Sequence, residues 1–170
     1  MNERSSKVGH AESRAVVAIE LFEGSREELL QLFAHADDSH AEIVSYIQLG
    51  EVLVARCAQE IIGHVQLIAT ANDREIRSLA VMEKQQRQGV GGALVHAALD
   101  RAFSQGASRV LVATSSADID NLRFYQRLGF RVERVERDVF NVNRGYLSFE
   151  VDGIPVRDQV WFSISINDCR

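Results

Sequence analysis

Hydrophobic positions along the chain switch between two spacings, one near two residues and one near 3.6. Residues 15–21 (AVVAIEL) read as a first strand. Ser25 followed by Glu28 is a capping-box pair. It opens a helix with Leu29, Leu30, Leu32 and Phe33 on its apolar face. Ile43, Tyr46 and Ile47 mark a second short helix within 37–50. Strands follow at 52–58 and 61–69, and the connection 58–60 is short enough for a hairpin. A third strand, 75–81, comes after the polar turn 71–74, and the three read as an antiparallel meander. His64 and Gln66 fall on the less apolar face of their strand, where a surface or groove histidine is expected. From residue 91 the spacing lengthens. Leu94, Val95, Ala98, Leu99, Ala102 and Phe103 stripe a helix ending at Ser104, with Gly106 as a left-handed stop. A buried strand at 109–114 precedes a helix that Asp118 caps; Leu122, Leu128 and part of Phe124 supply its core stripe, and Gly129 stops it. A strand at 130–135 follows. The segment 156–166 alternates Val160, Phe162, Ile164 and Ile166 on one face. The order βα(α)βββαβαββ predicts one mixed sheet flanked by helices, α/β or α+β in class.

Composition narrows the picture. A chain of 170 residues fits one domain with a real core. Residues 1–13 are polar and expected to be a flexible N-terminus, with the domain at 14–170. No apolar run is long enough for a membrane-spanning helix, and the N-terminus has no secretory apolar stretch. The two cysteines, Cys57 and Cys169, have no metal-like spacing and are expected as reduced thiols in a cytoplasmic protein. No metal is expected. A net charge of −5 argues against a general nucleic-acid binder. Of the 19 basic residues only Lys7 and Lys84 are lysines, and arginine is the better bidentate partner for phosphate or carboxylate. The arginines Arg123, Arg127, Arg131, Arg134, Arg137 and Arg144 sit among Glu133, Glu136 and Asp138, the pattern of a salt-bridged surface.

The first chemical signal is Gln86-Arg87-Gln88-Gly89-Val90-Gly91-Gly92, between a strand and a helix. Glycines let the backbone approach a ligand and take positive φ. The first N–H groups of a helix lack intrahelical partners and, with the helix dipole, form an anion site. Arg87 can add a charge-assisted contact. A Walker loop requires Gly-Lys-Ser/Thr, whereas Gly92 is followed by Ala93 and Leu94. The dinucleotide fingerprint requires a small residue where Leu94 stands, and an acidic residue where 110–113 is apolar. The spacing of Gln86, Gly89 and Gly91 matches the Q-x-x-G-x-G loop of acyl-CoA-dependent N-acetyltransferases. A glycine turn that merely starts a helix is the plain alternative.

The second signal is Asn121-Leu122-Arg123-Phe124-Tyr125-Gln126-Arg127-Leu128-Gly129-Phe130. Asn121 and Tyr125 stand one turn apart on one helical face. A phenol of pKa about 10 can donate a proton to a thiolate whose conjugate acid has pKa about 8.5. The same spacing also fits an amphipathic core aromatic with its hydroxyl at the surface.

Taken together, the Q-x-x-G-x-G loop and the N-x-x-x-Y-x-x-x-G-F helix resemble the GNAT (Gcn5-related N-acetyltransferase) superfamily over residues 52–135. The tail 138–166, with Gly153-Ile154-x-x-Arg157-Asp158, resembles one bacterial subgroup. The resemblance implies the GNAT acyl-CoA N-acyltransferase fold, a mostly antiparallel sheet with splayed middle strands. It implies acetyl-CoA as cosubstrate, with its pantetheine arm against the backbone of Leu79, Ala80 and Val81. Its pyrophosphate would lie on the loop Arg87, Gln88, Gly89, Val90, Gly91 and Gly92. Asn121 would contact the cofactor, and Tyr125 would protonate the departing thiolate. An amine attacking directly must first lose a proton, and Glu75 is the carboxylate expected to help through a water; a charge paired with Arg74 or Arg77 is the alternative. The acceptor would be a small-molecule or peptide amine, held by the N-terminal helical region and residues 140–155. A membrane or nucleic-acid partner is not expected, and the apolar last strand is expected to be available for a homodimer. An acyl-CoA-binding module without catalysis, a sensor or structural partner, is the rival from another class.

Overall fold

The computed structural model describes residues 16–169. The expectation for 1–13 lies outside them. β1 (Val17–Leu21) and β2 (Glu51–Cys57) flank two short helices, α1 (Leu30–Ala36) and α2 (His40–Tyr46). β3 (Glu60–Thr70) and β4 (Asp73–Val81) complete the expected meander. α3 (Val90–Ser104), β5 (Arg109–Ser115), α4 (Ile119–Arg127) and β6 (Arg131–Glu136) follow as read from the sequence. A hairpin of two-residue strands, β7 (Glu150–Val151) and β8 (Ile154–Pro155), precedes β9 (Gln159–Ser165).

The large sheet has the order β1-β2-β3-β4-β5-β9-β6. Only β4 and β5 run parallel; every other neighbouring pair is antiparallel. Each face carries a core. On one, α3 buries Leu94, Val95 and Ala98 against Val65, Ile76, Val110 and Phe162. On the other, Leu29 and Phe33 join Ile43 and Tyr46 over Val52, Val54 and Ala80.

Several expectations change. The turn is shorter than 71–74, because Asp73 and Arg74 already pair with Thr70 and Ala69. Positive φ falls on Ala71, at +47°. Leu30 is exposed, since the core positions here are Leu29, just before α1, and Leu32 and Phe33 within it. In α4 the buried residue is Tyr125, while Leu122, Phe124 and Leu128 are only partly buried. His64 and Gln66 are not at the surface: both are wholly buried, because α1 and α2 cover that face. His64 shares its hydrogen bond with Ser78 (Nε2 to Oγ, 2.9 Å) and stacks on Phe33 at 4.3 Å. Gln66 donates to the carbonyls of Tyr46 and Leu49 at 2.8 and 2.7 Å, tying down the end of α2. The last strand does not offer an edge to a second subunit. β9 lies between β5 and β6, so both its edges are paired within the chain. Val160, Phe162 and Ile164 are buried as expected.

Candidate active site

The site begins with a break in sheet pairing. β4 meets β5 at three positions, Arg74 with Val110, Glu75 with Leu111 and Ile76 with Val112. Beyond Ile76 each strand keeps its outer neighbour and loses the inner one. Leu79, Ala80 and Val81 remain paired with Val65, His64 and Gly63 of β3. Ala113, Thr114 and Ser115 remain paired with Trp161, Val160 and Gln159 of β9. The local cause is a bulge. Ile76 pairs with Leu67 and Ser78 with Gln66, which leaves Arg77 as the extra residue. A bulge bends and twists its strand. The gap it opens exposes one backbone edge of residues 79–81 and can admit an extended ligand arm as if it were another strand.

The glycine loop closes one end of this gap. A 3-10 turn, Glu83–Gln85, leads into Gln86, whose side chain donates to the Val81 carbonyl at 3.0 Å. The Gln88 side chain donates to the Lys84 carbonyl at 3.0 Å. These two amides shape the loop. Arg87 and Gly89 both have left-handed backbone, with φ of +59° and +87°. The space beside Gly89 is open: a Cβ there would meet nothing within 4 Å. A Cβ at Gly91 would instead stand 3.5 Å from the Phe124 ring, so Gly91 serves the packing of α3 on α4. The first bond of the 15-residue α3 runs from the Ala93 N–H to the Gly89 carbonyl at 3.0 Å, which leaves the N–H groups of Val90, Gly91 and Gly92 without intrahelical partners. Loop, dipole and exposed Arg87 suit a phosphate, so the residues present fit a ligand built as a pyrophosphate with an extended arm.

α4 forms the other lip. The Asp118 carboxylate accepts from the Asn121 N–H at 2.9 Å and from its side-chain amide at 2.7 Å. Tyr125 packs between Phe124, Phe130 and Phe162, with ring centroids 5.1, 5.7 and 6.1 Å away. Burial pushes its phenol above the usual range, with Asp118 adding to the shift. The hydroxyl has no hydrogen-bond partner among the described residues.

A cavity of about 180 Å³ lies where β5 and α4 meet the two acceptor segments. Asp37 and Asp38 enter from the α1–α2 turn, Arg77 from the bulge, and Thr114, Asp118 and Asn121 from the far side of the gap. Phe140, Tyr146, Phe149, Val151 and Val156 form an apolar wall. The regions expected to hold an acceptor, separated by about a hundred residues, thus converge on one cavity. Spacing along the chain could not reveal Asp37, because Tyr146, the partner that ties it to the second acceptor segment, is 109 residues away. Its carboxylate accepts from the hydroxyls of Tyr146 (3.0 Å) and Tyr46 (3.3 Å) and from the Ser39 N–H (3.0 Å). Burial, with the Asp37 charge next, pushes both phenols above their usual range. Arg77 lies 3.9 Å over the Tyr46 ring and 3.2 Å from Glu42, with Asp37 at 4.0 Å.

Glu75 does not line this cavity. It sits two residues before the bulge, where β4 is still paired on both sides. Alternation with buried Ile76 puts it on the same sheet face as Arg77. Neither expected partner holds it: Arg74 bonds to Gln105 and Arg77 to Glu42, and Glu75 has no ion pair among the described residues. Burial raises its pKa, partly offset by the charges of Arg77 and Arg134. Elsewhere in the arginine-rich segment, surface pairing is found for Arg123 with Asp120 (3.4 Å) and Arg134 with Glu136 (3.2 Å). Arg144 instead joins Glu42 at 2.8 Å, tying residues 137–158 to α2.

Residues 18–130 match the model of the Acetyltransferase (GNAT) family. An uncharacterised N-acetyltransferase of Bacillus subtilis strain 168, YvbK, is 34% identical over 143 residues, 84% of this chain and 92% of the relative. A crystal structure of a Bacillus subtilis acetyltransferase in complex with CoA superposes with a TM-score of 0.81 at 31% identity, covering 89% of this chain and 99% of the other. A GNAT family acetyltransferase from Elizabethkingia anophelis with acetyl-CoA bound gives a TM-score of 0.83 at 26% identity, covering 88% and 98%.

Proposed function

Because this chain belongs to the GNAT acetyltransferase family, we propose that residues 14–170 form one catalytic domain that transfers an acetyl group from acetyl-CoA to a primary amine. The observation that carries this reading is the β4–β5 gap, with a left-handed glycine loop after β4 and, after β5, the helix α4 that carries Asn121 and Tyr125. Acetyl-CoA supplies the acetyl group as a thioester. The backbone of Leu79, Ala80 and Val81 binds the arm, and Arg87, Gly89, Val90, Gly91 and Gly92 bind the pyrophosphate. Gln86 and Gln88 hold the loop in shape. Asn121, fixed by Asp118, lines the gap and orients the arm.

Asp37 attracts the ammonium form of the acceptor. Nitrogen must lose its proton before attack, since an amine of pKa about 10.4 is well under 1% neutral at pH 7. Glu75 collects that proton through a water; desolvation raises its pKa against the partial offset of the Arg77 and Arg134 charges, and it holds no ion pair among the described residues. The nitrogen then bonds to the acetyl carbon, the carbon–sulfur bond breaks, and Tyr125 gives its proton to sulfur. Burial keeps the Tyr125 phenol protonated throughout the physiological range, so the donor form is always present.

A binding module without catalysis needs neither a thiol acid nor a carboxylate facing the acceptor. Tyr125→Phe tests the difference. It keeps the ring packing and should lower kcat by about 10²–10⁴-fold with little change in acetyl-CoA affinity. Activity within about twofold of the parent would make Tyr125 a packing residue. We place the protein in the cytoplasm. Among the described residues no helix is long and apolar enough to cross a membrane.

A further inference from the structure

The acceptor cavity carries information about what enters it. This inference rests on the acetyl-transfer reading and asks which amine is the substrate. Charge comes first. Three carboxylates (Asp37, Asp38, Asp118) and one guanidinium (Arg77) line the cavity. That guanidinium is stacked on Tyr46 and bonded to Glu42, a further carboxylate, and lies 4.0 Å from Asp37, so the carboxylates around the cavity outnumber it. Asp37 is nearly enclosed, with its side chain 8% exposed. The cavity therefore favours a cation, and a carboxylate beside the amine would meet like charge, a juxtaposition that costs several kcal/mol in a desolvated site.

Shape comes second. Part of the lining is apolar and aromatic: Phe140 stands edge-on to Tyr146 at 5.0 Å, and Phe149, Val151 and Val156 line the cavity as well. Residues 137–158 cross the sheet face and are fastened to the α1–α2 region at three places. The Ser39 hydroxyl donates to the Arg144 carbonyl at 2.6 Å, Arg144 pairs with Glu42, and Tyr146 donates to Asp37. This strap supplies Phe140, Tyr146, Phe149, Val151 and Val156 to the cavity lining, so a peptide chain extending from the cavity would meet it. The volume, about 180 Å³, is below the roughly 300–1,000 Å³ of sites for drug-sized ligands.

We infer that the acceptor is a small monoamine with a compact apolar or aromatic body and no carboxylate on the amine-bearing carbon. Its ammonium end lies toward Asp37 and its body against Phe140 and Phe149. A polyamine would place further ammonium groups against the apolar wall. A peptide N-terminus would require the strap to open.

The test is free-thiol release from acetyl-CoA with four acceptors: 2-phenylethylamine, phenylalanine, spermidine and an alanine-initiated tetrapeptide. 2-Phenylethylamine should exceed each of the others in kcat/KM by at least about tenfold. Phe149→Ala should raise KM for 2-phenylethylamine while leaving that for ethylamine nearly unchanged, because ethylamine is too short to reach the wall. Preference for phenylalanine, spermidine or the peptide overturns the acceptor class and leaves acetyl transfer standing. Equal effects of Phe149→Ala on both amines also overturn it. Binding of acetyl-CoA without turnover of any amine removes the transfer reading itself, and the acceptor class with it.

Discussion

The Tyr146 hydroxyl donates to the Asp37 carboxylate at 3.0 Å across 109 residues of chain. That bond joins the two acceptor segments, and Gly145 is what lets them meet. Gly145 has φ of +80°, and a Cβ there would stand 2.6 Å from Ser39 Oγ, the atom that donates to the Arg144 carbonyl.

Gly145→Ala should therefore loosen the strap. Left-handed backbone costs an alanine about 1–2 kcal/mol, and the contact with Ser39 adds to it. The expected result is a loss of about 1–3 kcal/mol in urea unfolding, with KM for the amine raised and acetyl-CoA affinity unchanged by calorimetry. Gly153→Ala is the control. Its φ is +76°, but nothing lies within 4 Å of the new Cβ, so it should cost stability without moving KM. Equal KM effects from both variants would mean that backbone strain, not the strap, sets acceptor affinity.

At the phosphate loop, Gly89 is the position to change. Gly89→Asp forces a side chain onto left-handed backbone and puts a negative charge in the open mouth of the loop. Acetyl-CoA should bind at least about tenfold more weakly, roughly 1.4 kcal/mol. Undiminished affinity in a folded variant would place the pyrophosphate elsewhere.

The two carboxylates should separate by pH. Glu75 acts as a base only when ionised, and burial raises its pKa, so its contribution should fade as pH drops through that raised value. Glu75→Gln should lower kcat/KM most near neutrality, with the deficit shrinking toward pH 9, where more amine is already neutral. Asp37→Asn should lower kcat/KM through KM wherever the amine is mainly ammonium, because it removes attraction for that form. A pH-independent loss for Glu75→Gln would make that residue a binding charge.

His64 gives the fold a sensitivity to acid. Burial holds its pKa at about 3 in the folded protein, with the Arg26 charge adding to the depression; unfolded, it is about 6.5. Above pH 6.5 neither state is protonated and the residue adds no pH dependence. Below it the unfolded chain gains a proton that the folded one refuses, so stability falls as pH drops from 6.5 toward 3. The contribution to the slope is at most about 1.4 kcal/mol per pH unit. Urea midpoints across that range should show it, and His64→Gln should flatten it. An unchanged slope would assign the acid sensitivity to other groups.

Much of the cofactor half of the site could be read from the chain, because its determinants are local. Gly89 and Gly91 stand at a helix start, and Asn121 and Tyr125 lie one turn apart behind an Asp118 cap. The acceptor half could be assigned only to its two segments. Asp37 matters through Tyr46, Tyr146 and Arg77, and no short-range pattern links those positions. The burial of His64 and Gln66 was hidden for a related reason. Alternation identifies a strand's less apolar face, but not whether a helix covers it, and here α1 and α2 do. β7 and β8 are two residues each, too short to show any period. The placing of β9 between β5 and β6 depends on pairing with strands that precede it, one of them by more than forty residues.

The most direct measurement follows both products at once. With acetyl-CoA and 2-phenylethylamine, free CoA thiol and N-acetylated amine should appear in equal amounts, thiol by a chromogenic disulfide reagent and the amide by mass spectrometry. Both should depend on the amine and fall together in Tyr125→Phe. Thiol release that is independent of every amine tried, with no acetylated product, would contradict acetyl transfer as the function of this fold.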